Sequence, residues 1–298
     1  MKKYYAGIDI GTNTLLLLIL SKDDSGVMSI EKDVHRIARL GEGIHESGTI
    51  SKIAIDRTSN ILKEYAQILK EYDAIQVHIV ATSAMRDAQN RSEVLQELES
   101  IIGYPIHCIS GNQEAIYTYL GSKEQYKNPI ILDIGGGSTE YITGNEGDFD
   151  ILSLDIGAFR LHDMYMNSLP LSKINLEHAK TYIRQYIQQL PIQVQNSIIA
   201  TAGTPTTLAA IQLGIDDLSN PQIHGYVLSL EAIEEMTHTL VHSSLEDILA
   251  IPGVHPQRAD ILPAGALILY EILRHVKADS CIVSKKGLRF GVAYSIMD

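Results

Sequence analysis

The chain has 298 residues, 45% apolar and 20% charged, with 22 glycines and 9 prolines; this excludes disordered and low-complexity classes and leaves room for about two domains. A net charge of −12 opposes binding to nucleic-acid polymers, whose phosphates would meet a repulsive field. The longest apolar run, Leu15 to Leu20, is too short to cross a bilayer, no signal peptide fits the first residues, and the isolated Cys108 and Cys281 read as reduced, buried thiols of a cytoplasmic protein.

Tyr4 to Ile8 reads as a strand running into Asp9-Ile10-Gly11-Thr12-Asn13-Thr14, followed by a second strand, Leu15 to Leu20. A polar hairpin, Ser21 to Gly26, leads to a third strand ending in Ala38-Arg39-Leu40. Ser51 is placed to cap a helix whose apolar residues Ile61, Leu62, Tyr65, Ile68, Leu69 and Tyr72 recur at helical spacing. A strand over Ile75–Ala81, a helix over Arg91–Ile102, a strand over Pro105–Ile109 and a helix over Gln113–Leu120 follow. This alternation implies parallel pairing through crossover helices. Tyr126-Lys127-Asn128 reads as the junction, dividing the chain into domains 1–125 and 126–298.

Beyond it the pattern restarts. The apolar Pro129-Ile130-Ile131-Leu132 enters Asp133-Ile134-Gly135-Gly136-Gly137-Ser138-Thr139, and a strand at Tyr141 to Thr143 leaves it. A polar hairpin, Gly144 to Asp148, leads to a third strand ending in Phe159-Arg160-Leu161. Then come a helix (Ile174 to Leu190), a strand (Ser197 to Thr201), a Gly203-Thr204-Pro205 turn, helices between Leu230 and Val276, a strand (Ser280 to Ser284) and a last helix from Leu288. The two Asp-Ile-Gly turns lie 124 residues apart, and the spacing from Asp to Arg is 30 residues in one copy and 27 in the other. Self-similarity of this kind points to two duplicated α/β domains, their turns facing a cleft between them.

Glycine after a strand frees the backbone to adopt positive φ and present N–H groups to a ligand. Hydroxyls at Thr12, Thr14, Ser138 and Thr139 can add donors around a phosphate. An aspartate at the carboxyl end of each strand, Asp9 and Asp133, suits a hard cation. One such turn alone would read as a capped tight turn; the matched pair favours phosphate binding.

Twin loops with this topology resemble the actin-like (ribonuclease H-like) ATPase superfamily. Further segments resemble the exopolyphosphatase / guanosine pentaphosphate phosphatase (Ppx/GppA) family specifically. They are Leu40-Gly41-Glu42-Gly43, Ala81 to Ala88, Ile109-Ser110-Gly111-Asn112-Gln113-Glu114-Ala115, Asp133 to Glu140, Arg258-Ala259-Asp260 with Pro263-Ala264-Gly265, and Gly287-Leu288-Arg289. The resemblance implies an α/β fold of two duplicated actin-like domains with an interdomain cleft. It also implies a hydrolase releasing terminal phosphate from polyphosphate or a phosphorylated guanine nucleotide, with Mg²⁺ or Mn²⁺, and a homodimer.

Residue by residue, the resemblance makes Glu114 the general base on the attacking water and places Asp9, Asp133 and Glu140 around the metal. It gives phosphate contact to Gly11, Thr12, Asn13, Thr14, Gly135, Gly136, Gly137, Ser138 and Thr139. Arg86 is the strongest arginine for substrate contact or for organising the site, ahead of Arg39 and Arg160, and Gly203 with Thr204 forms a helix N-terminal turn lining the cleft. Gln113 stands where relatives often carry a second glutamate, and Leu16 where many carry an arginine. Larger relatives add C-terminal helical domains, so the short form favours short chains of polyphosphate. An ATP-dependent kinase and a non-catalytic nucleotide sensor on the same fold are the rival readings. His238 and His242, four apart, read as surface residues because Thr239 stands where a metalloprotease would place its glutamate.

Overall fold

The computed structural model describes residues 2–145 and 148–297. The chain forms two compact units, residues 1–121 with 287–298 and residues 122–286. This differs from a division into 1–125 and 126–298, because the last helix returns to the first unit. Among the described residues no helix is long and apolar enough to cross a membrane.

In the first unit, β1 (Lys3–Ile10), β2 (Thr14–Lys22) and β3 (Met28–Ile37) form an antiparallel meander. After α1 (Ile44–Ser47) and α2 (Lys52–Leu69), β4 (Gln76–Ala81) pairs parallel with β1. Helices α3 (Ser83–Asp87) and α4 (Arg91–Ile102) precede β5 (Ile106–Cys108), which pairs parallel with β4, and α5 (Gly111–Ser122) follows. The sheet order is β3-β2-β1-β4-β5. β1 is buried continuously from Tyr5 to Ile10, as a central strand covered on both faces must be. The Ser51 hydroxyl accepts from Ala54 N at 3.2 Å to start α2, whose Leu62, Tyr65 and Leu69 are buried against the sheet. Cys108 is only partly buried and Cys281 fully so.

The second unit repeats this plan. β6 (Ile130–Ile134), β7 (Thr139–Asn145) and β8 (Asp148–Leu154) form the meander, and α6 (Ala158–Leu161) runs into a π-helical turn, His162–Met166. Then come α7 (Lys173–Ile187), β9 (Ile198–Thr201), α8 (Gly203–Leu213), β10 (Val227–Ser229), α9 (Leu230–His242), α10 (Leu245–Leu249), α11 (Leu262–His275) and β11 (Ser280–Val283). The sheet order β10-β11-β9-β6-β7-β8 contains the first unit's order, with β10 added at one edge. β6 pairs parallel with β9, and β9 with β11.

The third strands end earlier than the sequence suggests, at Ile37 and Leu154. Ala38-Arg39-Leu40 leaves the sheet, and Phe159-Arg160-Leu161 is helical in α6, because both segments hydrogen-bond to the loops opposite rather than to a neighbouring strand. The second polar hairpin lies partly outside the described residues.

The last helix, α12 (Leu288–Tyr294), closes the first unit. Phe290 and Ala293 pack on Leu18 and Leu20, and Leu288 and Val292 on Val80. Glycines permit the contact: a Cβ on Gly7 would stand 2.4 Å from Arg289 O, and one on Gly291 would stand 1.8 Å from Tyr117 O. Arg289 grips Asp33 of β3 with two hydrogen bonds of 2.9 Å.

Candidate active site

Each unit holds a loop at the carboxyl end of its first strand, built by the same bonds. Gly11 N donates to Thr14 O at 3.0 Å, and Gly135 N donates to Ser138 O at 3.0 Å. A Cβ on Gly11 would lie 2.9 Å from Thr14 O, and one on Gly135 would lie 3.0 Å from Ser138 O. Gly11, Gly135, Gly136 and Gly137 are not among the glycines at positive φ. Glycine is needed at the first position of each loop for close approach of the backbone, not for a left-handed conformation.

The loops owe their orientation to the segments packed beneath them. In the second unit, Gly135 O accepts from Ala158 N (2.9 Å), Gly136 O from Phe159 N (2.8 Å) and Arg160 N (3.0 Å), and Gly137 O from Arg160 Nε (2.8 Å). A trans peptide directs its C=O and N–H to opposite sides. The amides of Gly136, Gly137 and Ser138 therefore all point away from α6, making a concave set of donors suited to an anion. Gly157 allows this packing, since a Cβ there would stand 2.4 Å from Gly136 O. Arg160 is thus a brace for the loop. In the first unit, Asn13 O accepts from Ala38 N and Arg39 N at 3.0 Å and Thr12 O from Gly41 N at 2.9 Å, turning the Asn13 and Thr14 amides the same way. Arg57 braces that segment, its Nε donating to Ala38 O at 2.7 Å and its Nη2 to Arg39 O at 3.0 Å. Arg39 itself lies at φ 51°. Sequence reasoning passed over Arg57, whose position within the amphipathic α2 gives no sign of the loop it supports.

Of the loop hydroxyls, Thr139 is already committed: its Oγ1 donates to Ile156 O at 2.6 Å and it is fully buried. Its hydroxyl proton is thus spent inside the fold, away from the phosphate contact expected of it. Asp133 of β6 and Glu140 of β7 are a directly paired cross-strand couple, so both carboxylates stand on one face of the sheet. Glu140 is 1% exposed and accepts from Ser153 Oγ at 3.0 Å. In the first unit the same register pairs Asp9 with Leu16. Among the described residues no group of three or more His, Cys, Asp or Glu side chains could hold a metal. The expected set of Asp9, Asp133 and Glu140 is divided between the units, with Asp9 in the first and the cross-strand pair Asp133–Glu140 in the second. Two hard oxygen donors fit Mg²⁺, which keeps several waters and takes its remaining ligands from phosphate.

Arg86 and Glu114 come together in the first unit, as expected of neither from spacing alone. Thr82 N donates to Ile10 O and Ile109 N to Ala81 O, placing α3 and α5 at the carboxyl edge beside the Asp9 loop, where α/β sheets place their ligands. Arg86 Nη1 donates to Glu114 Oε2 at 2.6 Å and to Ile109 O at 3.1 Å. Glu114 is 7% exposed, in the first turn of α5. Burial raises its carboxyl above the ordinary range, against the opposing pull of Arg86.

In the second unit α8 begins at Gly203, preceded by Ala202 at φ 76°, ψ −164°. Arg258 is laid against this turn: a Cβ on Gly203 would overlap its Nη1, and one on Gly265 would stand 2.1 Å from Thr204 Oγ1. Arg258 keeps some contact with solvent, yet its surroundings push the guanidinium down to about 10. Its sequence motif marked it, but only the fold brings it to the start of α8. His238 and His242 are exposed on α9.

Residues 18–298 match the Ppx/GppA phosphatase family. Exopolyphosphatase 2 of Mycobacterium tuberculosis is 29% identical over 98% of both chains. The bifunctional 3-dehydroquinate synthase/phosphatase of Fusobacterium nucleatum is 30% identical over 96% of this chain and 45% of its own length. Among solved structures, the Aquifex aeolicus Ppx/GppA family member aligns with a TM-score of 0.83 at 30% identity, covering 99% of this chain and 97% of that one. An exopolyphosphatase from Cytophaga hutchinsonii aligns at 0.85 and 26% with the same coverage.

Proposed function

The chain belongs to the Ppx/GppA phosphatase family, and on that premise we propose that it is an exopolyphosphatase, releasing terminal phosphate from polyphosphate by direct attack of water. The observation that carries this reading is the buried Glu114, fixed through Oε2 by Arg86. Its Oε1 takes the proton from water as the new P–O bond forms and the bond to the shortened chain breaks. A carboxyl raised by burial is the stronger base for this step at neutral pH. In the second unit the amides of Gly136, Gly137 and Ser138, and in the first unit those of Asn13 and Thr14, each offer donors to phosphate oxygens on which charge develops. Asp133 and Glu140 hold Mg²⁺ or Mn²⁺, which supplies charge neutralisation of the phosphoryl oxygens when bound.

The test is phosphate release by wild type and Glu114→Gln, with Mg²⁺ or Mn²⁺, on short polyphosphate, long polyphosphate and guanosine pentaphosphate. Wild type is expected to act on polyphosphate, and the variant to lose about 10²–10⁴ in rate while still binding the chain. Action on the nucleotide alone would replace polyphosphate as the substrate, and the ratio of short to long chains reads out length preference. Release from none of the three would turn attention to a kinase or sensor, which ATP binding would then separate.

A further inference from the structure

The β7–β8 ribbon of the second unit carries a cavity of about 310 Å³ on the face opposite Glu140. Its floor is two cross-strand pairs, Tyr141 with Leu152 and Thr143 with Asp150, so four side chains rise from one face. Gln189, Leu190 and Pro191, just past α7, complete its wall. The volume is that of a small-molecule site.

Tyr141 is the informative residue. It is 3% exposed, and its hydroxyl is buried with no hydrogen-bond partner among the described residues. Buried polar groups are nearly always paired, so an orphaned phenol at a cavity wall marks where a partner enters. Burial, and then the Asp150 charge, push the phenol up to about 12, so the hydroxyl stays protonated and can both donate and accept. Among the described residues no Lys, Arg or His lines the cavity, and the formal charge they place on its wall is the Asp150 carboxylate, which repels anions and attracts N–H donors. Leu152, Leu190 and Pro191 offer apolar surface beside that charge.

We propose that this cavity binds a compact organic cation, an ammonium or amidinium group on a short apolar body. Its charged N–H groups bond to Asp150 and its body packs on Leu152, Leu190 and Pro191. The Tyr141 hydroxyl accepts a further N–H from it. The proposal does not rest on the phosphatase reading, since these residues lie on the other face of the sheet from Asp133 and Glu140.

Benzamidinium and benzoate share a body and differ in the sign of their charge, which makes them the probes. The full chain is titrated with each by ¹⁵N NMR or calorimetry. Benzamidinium is expected to bind saturably in the millimolar range and benzoate not to bind. Asp150→Asn is expected to weaken benzamidinium about tenfold, and Tyr141→Phe to weaken it less. Equal binding of benzoate, or unchanged binding to Asp150→Asn, would overturn the proposal. So would failure of both probes to saturate, which would leave water as the partner of Tyr141. Asp150 is exposed, so its variant keeps the test decisive should Tyr141→Phe unfold.

Discussion

The Glu114 carboxyl sits between two opposed influences, burial acting upward and Arg86 acting downward. The base must be ionised to act, so activity should fall as pH drops through this raised value. Arg86→Gln removes the downward influence, and the acid limb of kcat/KM is expected to move to higher pH; Arg86→Lys should restore it in part. An arginine that only held substrate would raise KM and leave the limb in place, so the pH profile distinguishes the two roles. Ala202 presents a different residue-scale feature. Its φ of 76° and ψ of −164° fall in a region that belongs essentially to glycine and costs about 1–3 kcal/mol. Ala202→Gly is expected to raise the melting temperature, the relief of strain exceeding the extra freedom of the unfolded chain, about 0.4–1 kcal/mol.

At the scale of elements, each phosphate-type loop depends on the segment beneath it. A methyl group at Gly157 would collide with Gly136 O and Gly137 N, both backbone. Gly157→Ala is therefore expected to misalign the three amides and lower phosphate release by at least about tenfold, with circular dichroism unchanged. The Asp33–Arg289 pair ties α12 to β3 in a comparable way. Burial works to raise the Asp33 carboxyl, but His35 and Arg289 override it and hold it well below the usual range. A depressed carboxyl contributes stability that is present above its unfolded pKa of 3.8 and is lost as pH falls below it. His78 is depressed too, by burial and by His107, so its contribution is present above 6.5 and lost on acidification. The two add in the same direction. The melting temperature should fall first as pH drops below the ordinary histidine range and again below that of Asp33, and His78→Gln should shrink the first step, to which the likewise depressed His255 also contributes.

For the molecule as a whole, the duplication was legible in the sequence because its marks are local. Asp9 and Asp133 occupy equivalent turns, and the spacing to Leu16 and Glu140 carries over as strand register. The strand–helix alternation likewise fixed the parallel pairings. What spacing left open depended on long-range packing: Arg57 bracing a loop from α2, Arg258 reaching α8, Thr139 turned inward to Ile156. The same limit hid the return of α12, since its apolar side chains say that it packs and not on what. Deleting residues 287–297 is expected to leave Leu18, Leu20 and Val80 without cover. Hydrogen exchange should then speed up through β1, β2 and β4 while β6, β9 and β11 stay protected.

The return of α12 also sets an order of events during synthesis. The second unit is encoded in one uninterrupted stretch, while the first is split around it. A ribosome adding about 5–20 residues per second needs on the order of ten seconds or more to translate that stretch. Throughout that interval the nascent first sheet shows Leu18 and Leu20 to solvent and to any chaperone within reach. The half of the protein made first is the half finished last.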